Sequence, residues 1–248
     1  PYTLGIQSGA GMFAAFSIAF FSQIPIFGIL GTNILAFIGA MVSMIFVYII
    51  SSRDKAKSNS NLILIGISIS MLCNAIIQLI IAFAPDNAKI RSIVFWTMGG
   101  LGGAHWEDIS LLFIVSIIGF IITYALAEEL NIISMGEETA IILGVQLHKL
   151  NKILLVCVSV MVGAIVSISG SIGFVGLITP HIVRKIVGSD HKKLIPAATL
   201  TGSLFLVWTD IVSRVIVAPK ELPIGVITSL IGVPFFLFII KKRSRGVK

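Results

Sequence analysis

The residues able to do chemistry are few and widely spaced. His105, Glu107 and Asp108 form one polar cluster, His181 follows Pro180, and Asp190 and His191 stand together further on. None has a metal-ligand spacing such as H-E-x-x-H, so no metal site is expected and no residue takes a catalytic role. Asp210 and Arg214 lie one helical turn apart, share a face and can pair. Because a charge near a bilayer centre costs roughly 2.5 to 3.5 kcal/mol on insertion scales, such pairing offsets a real penalty. Ser134-Met135-Gly136-Glu137 has the form of a capping box, in which the Ser134 hydroxyl accepts from the Glu137 amide and the Glu137 carboxylate reaches back. A helix is expected to start there and to end at Gly144, which offers the left-handed position, after roughly nine residues or about 13 Å. Alone, this pattern fits an ordinary amphipathic connector as well as a docking segment. Ser58-Asn59-Ser60 reads as a turn and helix cap, and Lys220 with Glu221 as solvated charges. Cys73 and Cys157 fall in apolar sequence without ligand spacing and read as buried thiols.

The elements that carry these residues are set by composition. Of 248 residues, 56% are hydrophobic and only 12% charged, and the mean hydropathy is +1.05. A soluble domain carries about a quarter charged residues, which excludes that class. A membrane-crossing helix needs roughly 20 mostly apolar residues. The chain divides into about eight such runs: Gly9 to Phe27, Thr32 to Ile50, Leu62 to Phe83, Ile109 to Leu126, Ile153 to Ser169, Ile172 to Val187, Leu194 to Val217 and Ile224 to Ile240. They are continuously apolar, unlike the alternating strands of a barrel, so the fold class is an all-α integral membrane protein, a polytopic helix bundle. The run from Ile172 to Val187 is short and interrupted by Pro180, His181, Arg184 and Lys185, so it reads as a short or broken helix. Residues 1–248 read as one transmembrane domain, with 128–152 as its longest polar connection. Small residues at four-residue spacing, Gly5 with Gly9 and Gly163 with Ser167 and Ser171, read as helix-packing positions.

The formal charge of +7 is arranged on alternate connections. Arg53, Lys55 and Lys57 follow the second run, Lys149 and Lys152 the fourth, Arg184, Lys185, Lys192 and Lys193 surround the end of the sixth, and Lys241, Lys242, Arg243, Arg245 and Lys248 follow the eighth. The connections between hold only Lys89, Arg91 and Lys220. This positive-inside pattern places the basic connections and the C-terminus in the cytoplasm. Nucleic acid is excluded as a partner, since the basic groups share no soluble domain.

One motif is long enough to be specific. Gly173-Phe174-Val175-Gly176-Leu177, Pro180-His181 and Asp190-His191 precede Asp210, Arg214, Glu221-Leu222-Pro223, Gly225 and Gly232-Val233-Pro234. In this order they closely resemble the permease subunit of ABC importers for iron-siderophores, haem and cobalamin, the FecCD-like family. Pro1 to Ile6 with Ser8-Gly9-Ala10 resembles the segment after that family's second helix, so the first two of about ten helices are expected to be missing. The resemblance implies that Ser134, Gly136, Glu137, Glu138, Thr139, Ala140, Leu143 and Gly144 form the segment that couples to an ATPase. It implies a cytoplasmic gate at Ser58, Asn59 and Ser60, and an outer re-entrant segment from Phe95 to Gly103. Arg214, helped by Lys220, would receive an extracytoplasmic binding protein, alongside or instead of merely pairing with Asp210.

No Gly-Lys dipeptide is present, so a Walker A phosphate loop is absent and energy must come from elsewhere. The expectation is a transport subunit rather than an enzyme, without a cofactor on this chain, in a bacterial or archaeal cytoplasmic membrane. Its partners would be ATPase subunits holding ATP and Mg, a binding protein, a second permease copy or close homologue, and the lipid bilayer. The substrate would be an iron-siderophore, with haem or cobalamin as alternatives; the side chains do not choose. A secondary transporter would need an ionisable coupling residue near the midplane, where only Asp210 qualifies and Arg214 claims its charge. An intramembrane hydrolase would need a nucleophile with its base, or a metal triad, and no such motif is present.

Overall fold

A computed structural model of the chain describes residues 5–21, 29–53 and 59–245. Pro1 to Leu4, the tail of the first apolar run from residue 22 to 27, and Ser58 lie outside the described residues. In chain order the helices are α1 (Ile6–Phe16), α2 (Ile29–Arg53), α3 (Asn59–Ala82), α4 (Asn87–Met98), α5 (Trp106–Ala125), α6 (Ala127–Ile133), α7 (Glu137–Ile142), α8 (Leu147–Ser169), α9 (Val175–Val187), α10 (His191–Val215) and α11 (Ile224–Arg245). No strand occurs among the described residues. This is the outcome hydrocarbon imposes, since a helix satisfies its own backbone without water.

Among the described residues, five helices are long and apolar enough to cross a membrane: Gly31–Ser51, Ile63–Ala82, Trp106–Ala125, Leu147–Ser169 and His191–Val215, with Ile6–Phe21 and Ile224–Ile239 as shorter apolar helices. Length and composition thus bear out five of the roughly eight expected spans among the described residues, and the run expected to be short or broken is short. The sixth run forms α9, whose 13 residues reach about 20 Å, short of the ~30 Å hydrocarbon core. Phe174, held at φ 65, starts it late, and Gly188 at φ 86 ends it.

Residues 1–116 and 158–171 form one compact unit and residues 117–157 and 172–248 a second, the chain passing between them within α5, within α8 and once more just after α8. The first unit is held by close backbone approach. α1 packs on both α2 and α3. At its crossing with α2, a Cβ on Gly39 would collide with the Gly9 carbonyl, and one on Gly9 with the Ser43 hydroxyl. Gly163 of α8 sits against Phe37, Ala40 and Met41 of α2. The small-residue spacings thus act as packing faces, as lipid offers helices no hydrophobic drive to associate. Ile6, Ala10, Ala14, Ala36, Ala40 and Val166 form the core at this crossing.

Past Phe16 the first helix widens into a π-helical turn, Ser17–Phe21. Such a turn disturbs the regular ladder of backbone bonds, and Lys89 of α4 donates from Nζ to the Ala19 carbonyl there at 2.7 Å. Asp86 caps α4, accepting from the Lys89 amide at 2.7 Å. At its other end, the Gly100 amide donates to the Ser169 carbonyl at 2.8 Å, and Gly170, at φ 64, lies where any Cβ would strike the Trp96 carbonyl. The end of α8 and the end of α4 thus approach backbone to backbone, with Trp96 packed on the core that includes Val166.

In the second unit α9 packs on α10 and α11, and α6 packs on α10 and α7. Gly232 of α11 lies directly under the Phe174 ring. Much of α5 faces outward without a protein neighbour: Leu111, Phe113, Ile114, Ile117, Ile118 and Ile121 are exposed. An apolar surface of this extent is suited to lipid.

Candidate functional site

The second unit gathers its polar side chains at the two ends of α10. Nearest the chain's beginning is the connection that carries α6 and α7. The capping box does not form. Helix α6 runs up to Ile133 and uses Ser134 as its C-cap, and the Ser134 hydroxyl donates backwards to the Leu130 carbonyl at 2.9 Å. Helix α7 therefore starts at Gly136, φ 122, without a side-chain cap, and is six residues long instead of nine. Its end follows expectation: Gly144 adopts φ 84, its amide bonds the Ile141 carbonyl at 3.0 Å, and the Val145 amide bonds that of Ala140 at 2.9 Å. This is a Schellman closure.

The turn presents a mixed face. Glu137 and Glu138 are exposed on the first turn, where carboxylates suit the helix dipole. Beside them Met135, Ile141, Ile142 and Leu143 are exposed, Ile142 at 84%. Ala140 is at 0%, so it supports the turn from beneath and cannot be a surface contact. Ile141, Ile142 and Met135 complete the face that Glu137, Glu138, Leu143 and Gly144 began.

Helix α6 grips the start of α10. Asp190 caps α10, its Oδ1 accepting from the Lys192 amide at 3.1 Å. The same oxygen accepts from Asn131 Nδ2 at 2.9 Å. Asn131 Oδ1 then accepts from the His191 amide at 2.8 Å and meets His191 Nδ1 at 2.7 Å. One turn earlier on α6, Glu128 forms an ion pair with Lys192. The Asn131 hydrogen bond, followed by that from the Lys192 amide, holds the Asp190 carboxyl below its ordinary range. Lys192 does the same for Glu128, through its hydrogen bond and then its charge. Asp190-His191 is visible in the sequence motif; Asn131 and Glu128 are not, because nothing local marks a partner some 60 positions away.

At the other end of α10, Arg214 Nε donates to Asp210 Oδ2 at 3.0 Å, and Arg214 Nη1 lies 3.6 Å from Glu221 Oε1. Glu221 is therefore a second carboxylate on the same guanidinium. The Leu222 amide donates to the Ser213 carbonyl at 3.1 Å and ties the following loop to the helix. The pair occupies the last two turns of α10, towards its end and not its middle, and the Arg214 side chain is 45% exposed. Lys220 is exposed in the same loop, and its side chain forms no ion pair among the described residues.

The remaining sequence candidates lie apart. Asn59 and Ser60 are the first two positions of α3. His181 lies edge-on to the Phe235 ring, with centroids 6.5 Å apart. His105 and Asp108 form a local turn, the His105 amide donating to Asp108 Oδ2 at 3.2 Å. Among the described residues no three His, Cys, Asp or Glu side chains gather to hold a metal ion. Cys73 and Cys157 are both buried, and Cys157 Sγ meets the Gly119 carbonyl at 3.8 Å.

Apolar helices that expose their sides, joined by short connections that hold the charges, define a multi-pass membrane protein. Residues 1–242 match the model of the FecCD transport family, and the chain belongs to that family. It is 37% identical over 244 residues to a cobalamin import system permease protein of Halobacterium salinarum, covering 98% of this chain and 64% of that one. It is 35% identical to a hemin transport system permease protein of Yersinia pestis, covering 98% of this chain and 72% of that one. The chain thus spans less than two thirds of the first relative's length. A solved structure, described as of the metal-chelate type of ABC transporter and in an inward-facing conformation, aligns with a TM-score of 0.87 at 31% identity, over 98% of this chain and 75% of that one.

Proposed function

We propose that the chain is the permease subunit of an ATP-driven importer that moves an iron-siderophore across the cytoplasmic membrane by alternating access. The observation that carries this reading is the family match along nearly the whole chain. The names of its relatives supply the chemistry of the cargo: cobalamin and hemin are metals held in an organic ligand, and an iron-siderophore is of the same kind. Haem or cobalamin is the alternative cargo. Helix α7, with Met135, Ile141 and Ile142 exposed beside Glu137 and Glu138, is the surface on which an ATPase would dock in the cytoplasm. That subunit would hold ATP and Mg; this chain needs no cofactor of its own.

Arg214, with Lys220 nearby, would receive a binding protein outside the cell, a second permease copy or close homologue would complete the pathway, and the C-terminus would be cytoplasmic. Ser58, Asn59 and Ser60 would narrow the pathway's cytoplasmic end, so Ser60→Trp should impair uptake in an assembled transporter.

The test reconstitutes the permease in liposomes with its ATPase and binding protein and measures uptake of labelled ferric siderophores, hemin and cobalamin. Uptake should require ATP and the ATPase, and a cysteine at Ile142 should cross-link to that subunit. Uptake driven by an ion gradient without the ATPase would indicate a secondary transporter instead, and peptide cleavage a hydrolase.

A further inference from the structure

Asn131 joins α6 to α10 by hydrogen bonds from both ends of its carboxamide, and those ends are used with no freedom of choice. Asp190 is a capping carboxylate and can only accept, so the amide nitrogen must face it. The His191 backbone amide can only donate, so the amide oxygen must face that. The orientation fixed in this way sets the imidazole too: His191 Nδ1, 2.7 Å from the same oxygen, must carry a proton. Glu128, three residues before Asn131 and on the same face of α6, adds a second strut through Lys192.

We infer that Asn131 is a positioning residue that makes α6, the α7 turn and the start of α10 move as one body, so that displacement of α7 is delivered to α10. Helix α6 leads into α7 through Ser134 to Gly136, and α10 then runs without a break from His191 to Val215. From His191 to Arg214 is about 35 Å at 1.5 Å per residue, so α10 links the α7 end of the unit to the Asp210–Arg214–Glu221 cluster. Helix–helix contact alone would let α6 slide; directional hydrogen bonds to a helix's first amide and its cap do not.

This inference rests on the proposed docking of an ATPase at α7, and its test keeps the two apart. The permease is reconstituted with its ATPase and binding protein, and substrate carried per ATP hydrolysed is measured for the wild type, Asn131→Asp, and Asn131→Asp with Asp190→Asn. The single change sets two carboxylates against each other. The double change re-forms the side-chain bond between the two positions with its direction reversed and keeps an acceptor for the His191 amide, while asparagine, turning its oxygen to the Lys192 amide, still caps the helix.

The single variant should carry about tenfold less substrate per ATP and the double should return to within about twofold of wild type. Hydrogen exchange at the His191 amide should rise and recover in step. A single variant with wild-type stoichiometry, or a double variant that regains amide protection without regaining stoichiometry, overturns the inference and leaves the ATPase reading standing. A wild-type complex that does not couple uptake to ATP overturns both.

Discussion

The two ends of α10 are both polar, and they are built on different physics. At the start, one carboxamide and one carboxylate arrange four hydrogen bonds among α6, the cap and the first turn, each with a fixed donor and acceptor. At the finish, a guanidinium stands between two carboxylates four and seven residues away, one hydrogen-bonded and one at 3.6 Å. Directional bonds reject a substitute of the same size and wrong polarity. Charge clusters tolerate rearrangement, because an exposed ion pair contributes little and is screened by salt. The first end is therefore suited to holding geometry and the second to meeting a partner that comes and goes.

The most damaging break should be at the first end. Asn131→Leu keeps the branched shape at Cγ and removes both polarities, leaving the His191 amide and Nδ1 without their acceptor. The lost bond to the backbone amide alone is worth about 1 kcal/mol, more if the group stays dry. Loss of at least one further bond should lower the unfolding temperature in detergent by several degrees and abolish most coupled uptake. A variant with unchanged melting and transport would show that the directional end is decoration.

Charge exchange at the second end should do less to the fold. Replacing both Asp210 and Arg214 by leucine removes the hydrogen-bonded pair and leaves only Glu221, an exposed side chain, without its cation, and such replacements are often neutral for stability. The double variant should assemble normally and bind its binding protein about three- to tenfold more weakly, with the wild-type affinity itself falling as salt rises. Arg214→Leu alone should be worse, since Asp210 and Glu221 then face each other across the turn. Unchanged binding in the folded double variant would reduce this cluster to a helix staple.

The same contrast explains what could be read from the chain. Asp210 and Arg214 announce themselves by a spacing of four, and the long apolar runs by length; both are local properties. Gly144 was legible because only a left-handed residue closes such a turn. The capping box at Ser134 was legible and wrong: the pattern ignores that a preceding helix, α6, reaches the same serine first and turns its hydroxyl backwards. Ala140 looks like part of the docking face in a linear motif, yet a six-residue helix has a buried side and Ala140 is on it. Asn131 gave no signal, since its partners lie in another element and hydrogen-bond pairing has no one-dimensional spacing. The sixth run reads as short or broken from Pro180 and the charges beside it, and α9 is short; where it starts was not legible, because no hydropathy window records the left-handed backbone of Phe174.

The smallest expected effect separates the two kinds of group within the first end. Asp190 and Glu128 both have carboxyls held below their ordinary range. For a depressed carboxylate the stabilising contribution is complete above the unfolded value and is lost as pH falls through the folded one. Protection of the His191 amide, corrected for intrinsic exchange, should thus stay flat from about pH 8 to 5 and decline only below about pH 4. Glu128→Gln should leave that curve within about twofold of wild type, because its pair with Lys192 is exposed and salt-screened, whereas Asn131→Asp should lower the whole plateau. A decline that begins well above about pH 5, before the Asp190 carboxyl takes up a proton, would transfer control of this end from the Asp190 cap to another group.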